Sequence, residues 1–148
     1  MRPLPLLLLA ASLACAAPRP RPAAALPEPP RSLYDRLGGQ PAVEAAVTQL
    51  LAEIGADPRI NFFFGLSDLA ALHRQLVAFV CAATGGPCRY AGPDMRAAHR
   101  GMGISGAQFD ALAEDLAKAL DRLHVGAREK GELLSALGPL KAQIVEVR

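Results

Sequence analysis

SGAQFDALAEDLAKALDRL, residues 105–123, sets the period on which the rest of the chain is built. Ser105 followed three residues later by Gln108 is a capping box, in which each side chain satisfies a backbone N–H that the start of a helix leaves orphaned. Behind it Phe109, Leu112, Leu116, Leu120 and Leu123 recur at intervals of three and four. That interval places them on one face of an α-helix, which is predicted to end near Gly126.

The same period holds on both sides. Towards the C-terminus, Leu133, Leu137, Leu140, Ile144 and Val147 are in register and predict a helix over about 128–147, bent at Pro139 after a break at Gly138. Towards the N-terminus lie a short helical piece around 95–100 and an irregular stretch over 88–94. Before these, a helix capped by Ser67 is expected to run to about Thr84, with Leu69, Leu72, Leu76, Phe79, Val80 and Ala83 on one face. Gly85-Gly86-Pro87 ends it. Asp57-Pro58 starts a brief turn leading to Phe62-Phe63-Phe64. Ahead of that, Val43, Ala46, Val47, Leu50, Leu51 and Ile54 form a further stripe, with Pro41 suited to a first helical position and Gly55 as the stop. Ser32 caps a short helix over 33–37 that Gly38-Gly39 halts. No strand-like alternation and no internal repeat appears, so the fold class is all-α.

With 148 residues, 51% hydrophobic and 20% charged, the chain is sized for one globular domain. Its formal charge of +2 is carried entirely by Arg2, Arg19, Arg21 and Glu28, and the remainder is balanced. A charge-neutral domain excludes the electrostatic footprint of a nucleic-acid binder. Residues 1–17 read as an export signal: Arg2, a short apolar run over 4–13, then Ala14, Cys15, Ala16 and Ala17. The apolar run is well short of the ~20 residues a membrane span needs. Two cleavage patterns stand side by side, ordinary cleavage after small residues and a lipoprotein signal that would leave a lipid on Cys15, the one route to a membrane. Residues 18–31 are a proline-rich spacer, reaching roughly 40 Å as a polyproline helix, and residues 32–148 are the domain. The location expected is the periplasm or cell envelope.

His73, His99 and His124 are the histidines, and spacing assigns chemistry to none of them. His124, near a helix end, reads as a surface residue favoured by the helix dipole. No HExxH, CxxC, CxxCH or phosphate-binding glycine loop is present. The order of motifs is more informative. Ser32-Leu-Tyr-Asp-Arg-Leu-Gly-Gly39, Ala56-Asp-Pro-Arg-Ile60, Phe62–Phe64, Phe79 before Gly85-Gly86-Pro87, Tyr90-Ala-Gly-Pro-Asp-Met95, Ala98-His99, Gly103-Ile104, the helix 108–123 and Pro139-Leu140 together resemble the group-one truncated haemoglobins. The resemblance runs the length of the domain and implies a two-over-two helical sandwich around haem b (iron protoporphyrin IX).

By this resemblance His99 is the proximal iron ligand. Phe64 packs on the haem face, and Met95, Tyr90, Ile104 and Phe109 line the proximal side and edges. The distal side departs from the family pattern. Leu51 stands where the family usually has a tyrosine, and Leu72 and Leu76 where glutamine often serves. Without a donor, dioxygen forfeits a hydrogen bond worth about 1.5–3 kcal/mol, or roughly one to two factors of ten in dissociation rate. Weaker, faster-released dioxygen is therefore expected, with less penalty for carbon monoxide or nitric oxide. His73 and Gln75 are the two polar side chains that could rescue the pocket: either both sit at its rim or in solvent, or one swings in as a donor or sixth ligand.

Cys81 and Cys88 flank the Gly-Gly-Pro turn. A disulfide there would stabilise by about 2–3 kcal/mol; the other reading is a buried small hydrophobe at Cys81. The resemblance implies reversible binding of a diatomic gas at iron. Nitric-oxide dioxygenation would also need an electron donor, and the apolar distal side disfavours it, so whether the chain is an enzyme stays open. A six-coordinate electron-transfer or sensing haem is the alternative.

Overall fold

The computed structural model describes residues 30–147; the expected export signal, nearly all of the expected spacer and Arg148 lie outside them. Helix α1 (Leu33–Leu37) begins at the Ser32 capping box and ends on Gly38 in the left-handed conformation. Helix α2 (Gly39–Ala56) follows at once. It starts two residues before Pro41, which costs nothing because the first turn of a helix has no intrahelical partner for those N–H groups. It also runs through Gly55: Asp57 leaves the helix in an extended conformation, as expected of a residue preceding proline.

A turn of 3₁₀ helix over Asn61–Phe64 leads to α3 (Leu69–Ala83). The cap of α3 is Asp68 rather than Ser67, its carboxylate accepting from the Ala70 and Ala71 N–H groups. A carboxylate accepts both and suits the positive end of the helix dipole, so it outcompetes the neighbouring hydroxyl. After the irregular segment 84–94 come α4 (Met95–His99) and α5 (Gly106–Arg122), the latter with the expected Ser105–Gln108 box. The predicted last helix is interrupted where the Gly138 break and the Pro139 bend are expected. It divides into α6 (Ala127–Leu137), a 3₁₀ turn at Gly138–Leu140 and α7 (Lys141–Ile144). Val145–Val147 are extended, with Val147 paired beside Ser105. Proline removes a ladder hydrogen bond and clashes with the preceding turn, and Gly138 offers no resistance to the break. The described residues contain no strand beyond that single bridge.

The core lies where α2 meets α5 and α3. Val43, Val47 and Ile54 of α2 face Ala111, Ala119 and Leu120 of α5, all essentially inaccessible. Alanines on α5 let the two backbones approach closely. Leu133 of α6 closes one end, and Arg36 ties α1 to α6 by binding both Glu129, at 2.8 Å, and Glu132. Cys81 and Cys88 are joined in a disulfide, Cα–Cα 5.7 Å, which pins the start of the 84–94 segment to the end of α3.

Helix α3 does not bury the stripe the periodicity points to. Its buried residues are Val77, Val80 and Cys81, whereas Leu72, Leu76 and Phe79 are half-buried and Leu69 is 55% exposed. At about 100° per residue the two sets are centred roughly a third of a turn apart.

Candidate functional site

Among the described residues no helix closes the outer face of α3: α3 and α5 both rest on α2, but α3 makes at most slight contact with α4 or α5. Leu72, Leu76 and Phe79 therefore present a part-open apolar face. Leu51 of α2 and Phe64 of the 3₁₀ turn are packed against the core, as are Leu76 and Phe79, and all four keep part of their surface open. Across from Phe79 stands Tyr90, ring centroids 5.2 Å apart and edge to face, which links α3 to the segment leading into α4. Tyr90 is held by its hydroxyl, which donates to the Pro93 carbonyl at 2.9 Å. A Cβ at Gly92 would come within 2.4 Å of that hydroxyl, so only glycine lets the ring fold back there.

His99 is the last residue of α4. Its Nδ1 lies 2.7 Å from the Met95 carbonyl oxygen. A carbonyl can only accept, so Nδ1 carries the proton and the lone pair of a neutral ring sits on Nε2. Among the described residues no hydrogen-bond partner reaches Nε2. Asp94 caps α4 by accepting from Ala97 N–H at 2.8 Å. Met95 and Phe109 are half-buried, and Lys141 Nζ lies 5.8 Å from the Phe109 ring centre while pairing with Asp110. Ile104 is the one member of the predicted set already buried by the chain, beneath the extended C-terminal segment.

Of the two polar side chains near the distal stretch, one is engaged on α2 and the other is exposed. His73 Nε2 is 3.0 Å from Thr48 Oγ1 on α2. That hydroxyl gives its only proton to the Glu44 carbonyl at 2.8 Å, so His73 Nε2 must be the donor and offers no lone pair. His73 lies in a groove of about 240 Å³ with Gln40, Glu44, Arg74 and Val77. Gln75 is exposed, and so is His124, past the end of α5. Periodicity missed the partnership of Phe79 with Tyr90, and nothing in the linear sequence flags Thr48 as the partner of His73, 25 residues away.

The described residues contain no cluster of His, Cys, Asp and Glu that would hold a metal ion without further help. A single imidazole with a free nitrogen and a part-open apolar face instead suit a flat, mostly apolar group that brings its own metal.

Comparison with known proteins agrees with that chemistry. The family model described as bacterial-like globin matches residues 32–146. A group 1 truncated hemoglobin from Mycolicibacterium paratuberculosis is 36% identical over 115 residues, covering 78% of this chain and 85% of the relative. The crystal structure of truncated hemoglobin from Tetrahymena pyriformis in its Fe(III) form superposes with a TM-score of 0.76 at 31% identity, covering 78% of this chain and 98% of that one. The 2/2 hemoglobin from Synechococcus sp., solved in the cyanomet state with covalently attached heme, gives 0.72 at 35% identity, covering 76% and 95%. The chain belongs to the bacterial-like globin family, among the group 1 truncated haemoglobins.

Proposed function

We propose that this protein holds haem b between α3 and α4, with His99 Nε2 as the proximal ligand, and binds a diatomic gas reversibly on the side walled by Leu51, Leu72 and Leu76. The observation that carries this reading is the Nδ1–H hydrogen bond of His99 to Met95. It selects the neutral tautomer with Nε2 free and makes that nitrogen more basic, as the outer hydrogen bond of a metal-ligating histidine does. Bound haem would supply an iron atom able to take up a gas molecule. Phe64, Tyr90, Met95 and Phe109 would exclude water around it, and Ile104 would support the proximal side from beneath. The apolar side chains left half-open on α3 fit that role, since each would be covered by a flat apolar ring at about 25 cal/mol per Å² buried.

The engagement of His73 with Thr48 and the exposure of Gln75 support a distal side without a hydrogen-bond donor. Weak, quickly released dioxygen and undiminished carbon monoxide binding follow from it. Export to the cell envelope is part of the same proposal. The Cys81–Cys88 disulfide supports it, because such bonds persist in oxidising compartments. The mass of the mature chain after fractionation tests export, with lipid on Cys15 as one outcome.

The test of the site is spectroscopic. The full chain, reconstituted with haem, is expected to show a Soret band that follows the protein. It should be five-coordinate when ferrous, and six-coordinate with carbon monoxide. His99→Ala should abolish tight retention, and retention with an unaltered spectrum would overturn the proposal.

A further inference from the structure

Helix α4 is five residues long, too short to hold its shape alone, and it ends on His99. The turn just beyond it therefore sets where the imidazole sits. Arg100 leaves the helix in an extended conformation, Met102 N–H donates to the His99 carbonyl at 3.2 Å, and Gly101 and Gly103 flank it at φ +80° and +65°. Both angles lie in the left-handed region that side chains resist. Alternating in this way, the turn presents two backbone N–H groups to one side, a concavity suited to an anion.

That concavity is filled from the far end of the chain. Glu146 Oε1 accepts from Gly101 N–H at 2.8 Å and Oε2 from Gly103 N–H at 2.7 Å, across separations of 45 and 43 residues. Glu146 is itself anchored, its N–H donating to the Ile104 carbonyl at 2.9 Å, with Val147 N–H on the same oxygen at 3.2 Å. Helix α7, which delivers this segment, packs against α4. One carboxylate thus grips the turn two and four residues beyond His99 with both of its oxygens.

We infer that Glu146 is a positioning residue for the proximal histidine, locking the turn after α4 so that His99 Nε2 holds a fixed height and angle towards the haem. The inference rests on the haem-ligand reading of His99. Asp94 secures the front of the short helix and Glu146 the back, so with Glu146 removed the histidine is tethered at one end only. Lys141 on α7 supplies the control, because its pair with Asp110 stabilises the same segment without touching the turn.

The experiment uses the full chain, with and without haem, as wild type, Glu146→Gln, Glu146→Asp, Lys141→Ala and His99→Ala. Amide exchange in the haem-free protein should show Gly101 and Gly103 losing protection in Glu146→Gln, while α2 and α5 stay protected. With haem, the iron–histidine stretching band of the ferrous protein should shift or broaden. Haem transfer to excess apoglobin should accelerate by roughly tenfold, about 1.4 kcal/mol. Glu146→Asp, which keeps both oxygens, should recover most of the loss, and Lys141→Ala should lower Tm yet leave band and transfer rate unchanged. If Glu146→Gln lowers Tm as Lys141→Ala does but leaves both haem readouts at wild-type values, the positioning role is overturned. If His99→Ala retains haem with an unaltered spectrum, the ligand assignment itself falls and takes this inference with it.

Discussion

On α3, Val77, Val80 and Cys81 are buried against α2 and the core, while Leu69, Leu72, Leu76 and Phe79, roughly a third of a turn away, are left half-open or exposed. Both faces are apolar. One is closed by protein; on the other, Leu76 and Phe79 touch the core and Phe79 meets Tyr90, yet part of their surface stays open among the described residues. An apolar face left uncovered in an otherwise tightly packed domain marks a surface meant for something other than the chain itself. The family to which the chain belongs implies a haem cofactor, and under the proposal made above the uncovered face is the wall that would meet it.

Truncation should separate the two regions most strongly. Leu120→Ala, at a site with no exposure in the core that the closed face of α3 joins, is expected to cost about 2–5 kcal/mol. Leu72→Ala on the open face should cost within about 1 kcal/mol in the haem-free protein, with a larger penalty once haem is bound. Urea melts of both forms measure this, and equal penalties without haem would erase the distinction. Next in size is the disulfide that ties the closed face to the 84–94 segment. Replacing Cys81 and Cys88 by serine should lower stability by about 2–3 kcal/mol, read from the same melts.

The open face can also be sharpened chemically. Leu51→Tyr supplies the missing donor, and dioxygen release followed by stopped flow should slow by roughly ten- to a hundredfold. No change would mean that the distal wall lies elsewhere. The smallest effect belongs to the closed side, where side-chain and backbone hydrogen bonds from Arg59 hold the Asp57 carboxyl down to about 2 from its ordinary 3.8. A carboxyl depressed in the folded state stabilises fully above its unfolded value and loses that contribution as pH falls through the folded one. Asp57→Asn should therefore lower Tm near neutral pH, and the gap should close as pH drops from about 4 towards 2. A constant gap would remove the ion pair as its cause.

Much of this was legible in the residues. The cap at Ser32, the capping box at Ser105, the α5 stripe up to Leu120, the irregular 88–94 stretch and the short helix around 95–100 are all found where the pattern puts them, whereas Leu123 at the end of the stripe is exposed. Each depends on groups within about four residues of one another, and local spacing carries that information. The choice of Asp68 over Ser67 turned on competition between neighbours that spacing does not rank. Three-dimensional packing had to supply the rest: which apolar face of α3 is closed, the turning of His73 towards Thr48, the joining of Cys81 to Cys88, and the grip of Glu146 on the turn behind His99. Apart from the disulfide, whose two cysteines invited the question, these pairings leave no periodic trace. They arise between groups that meet only when the helices are stacked, so the energy that selects them is absent from any short window of the chain.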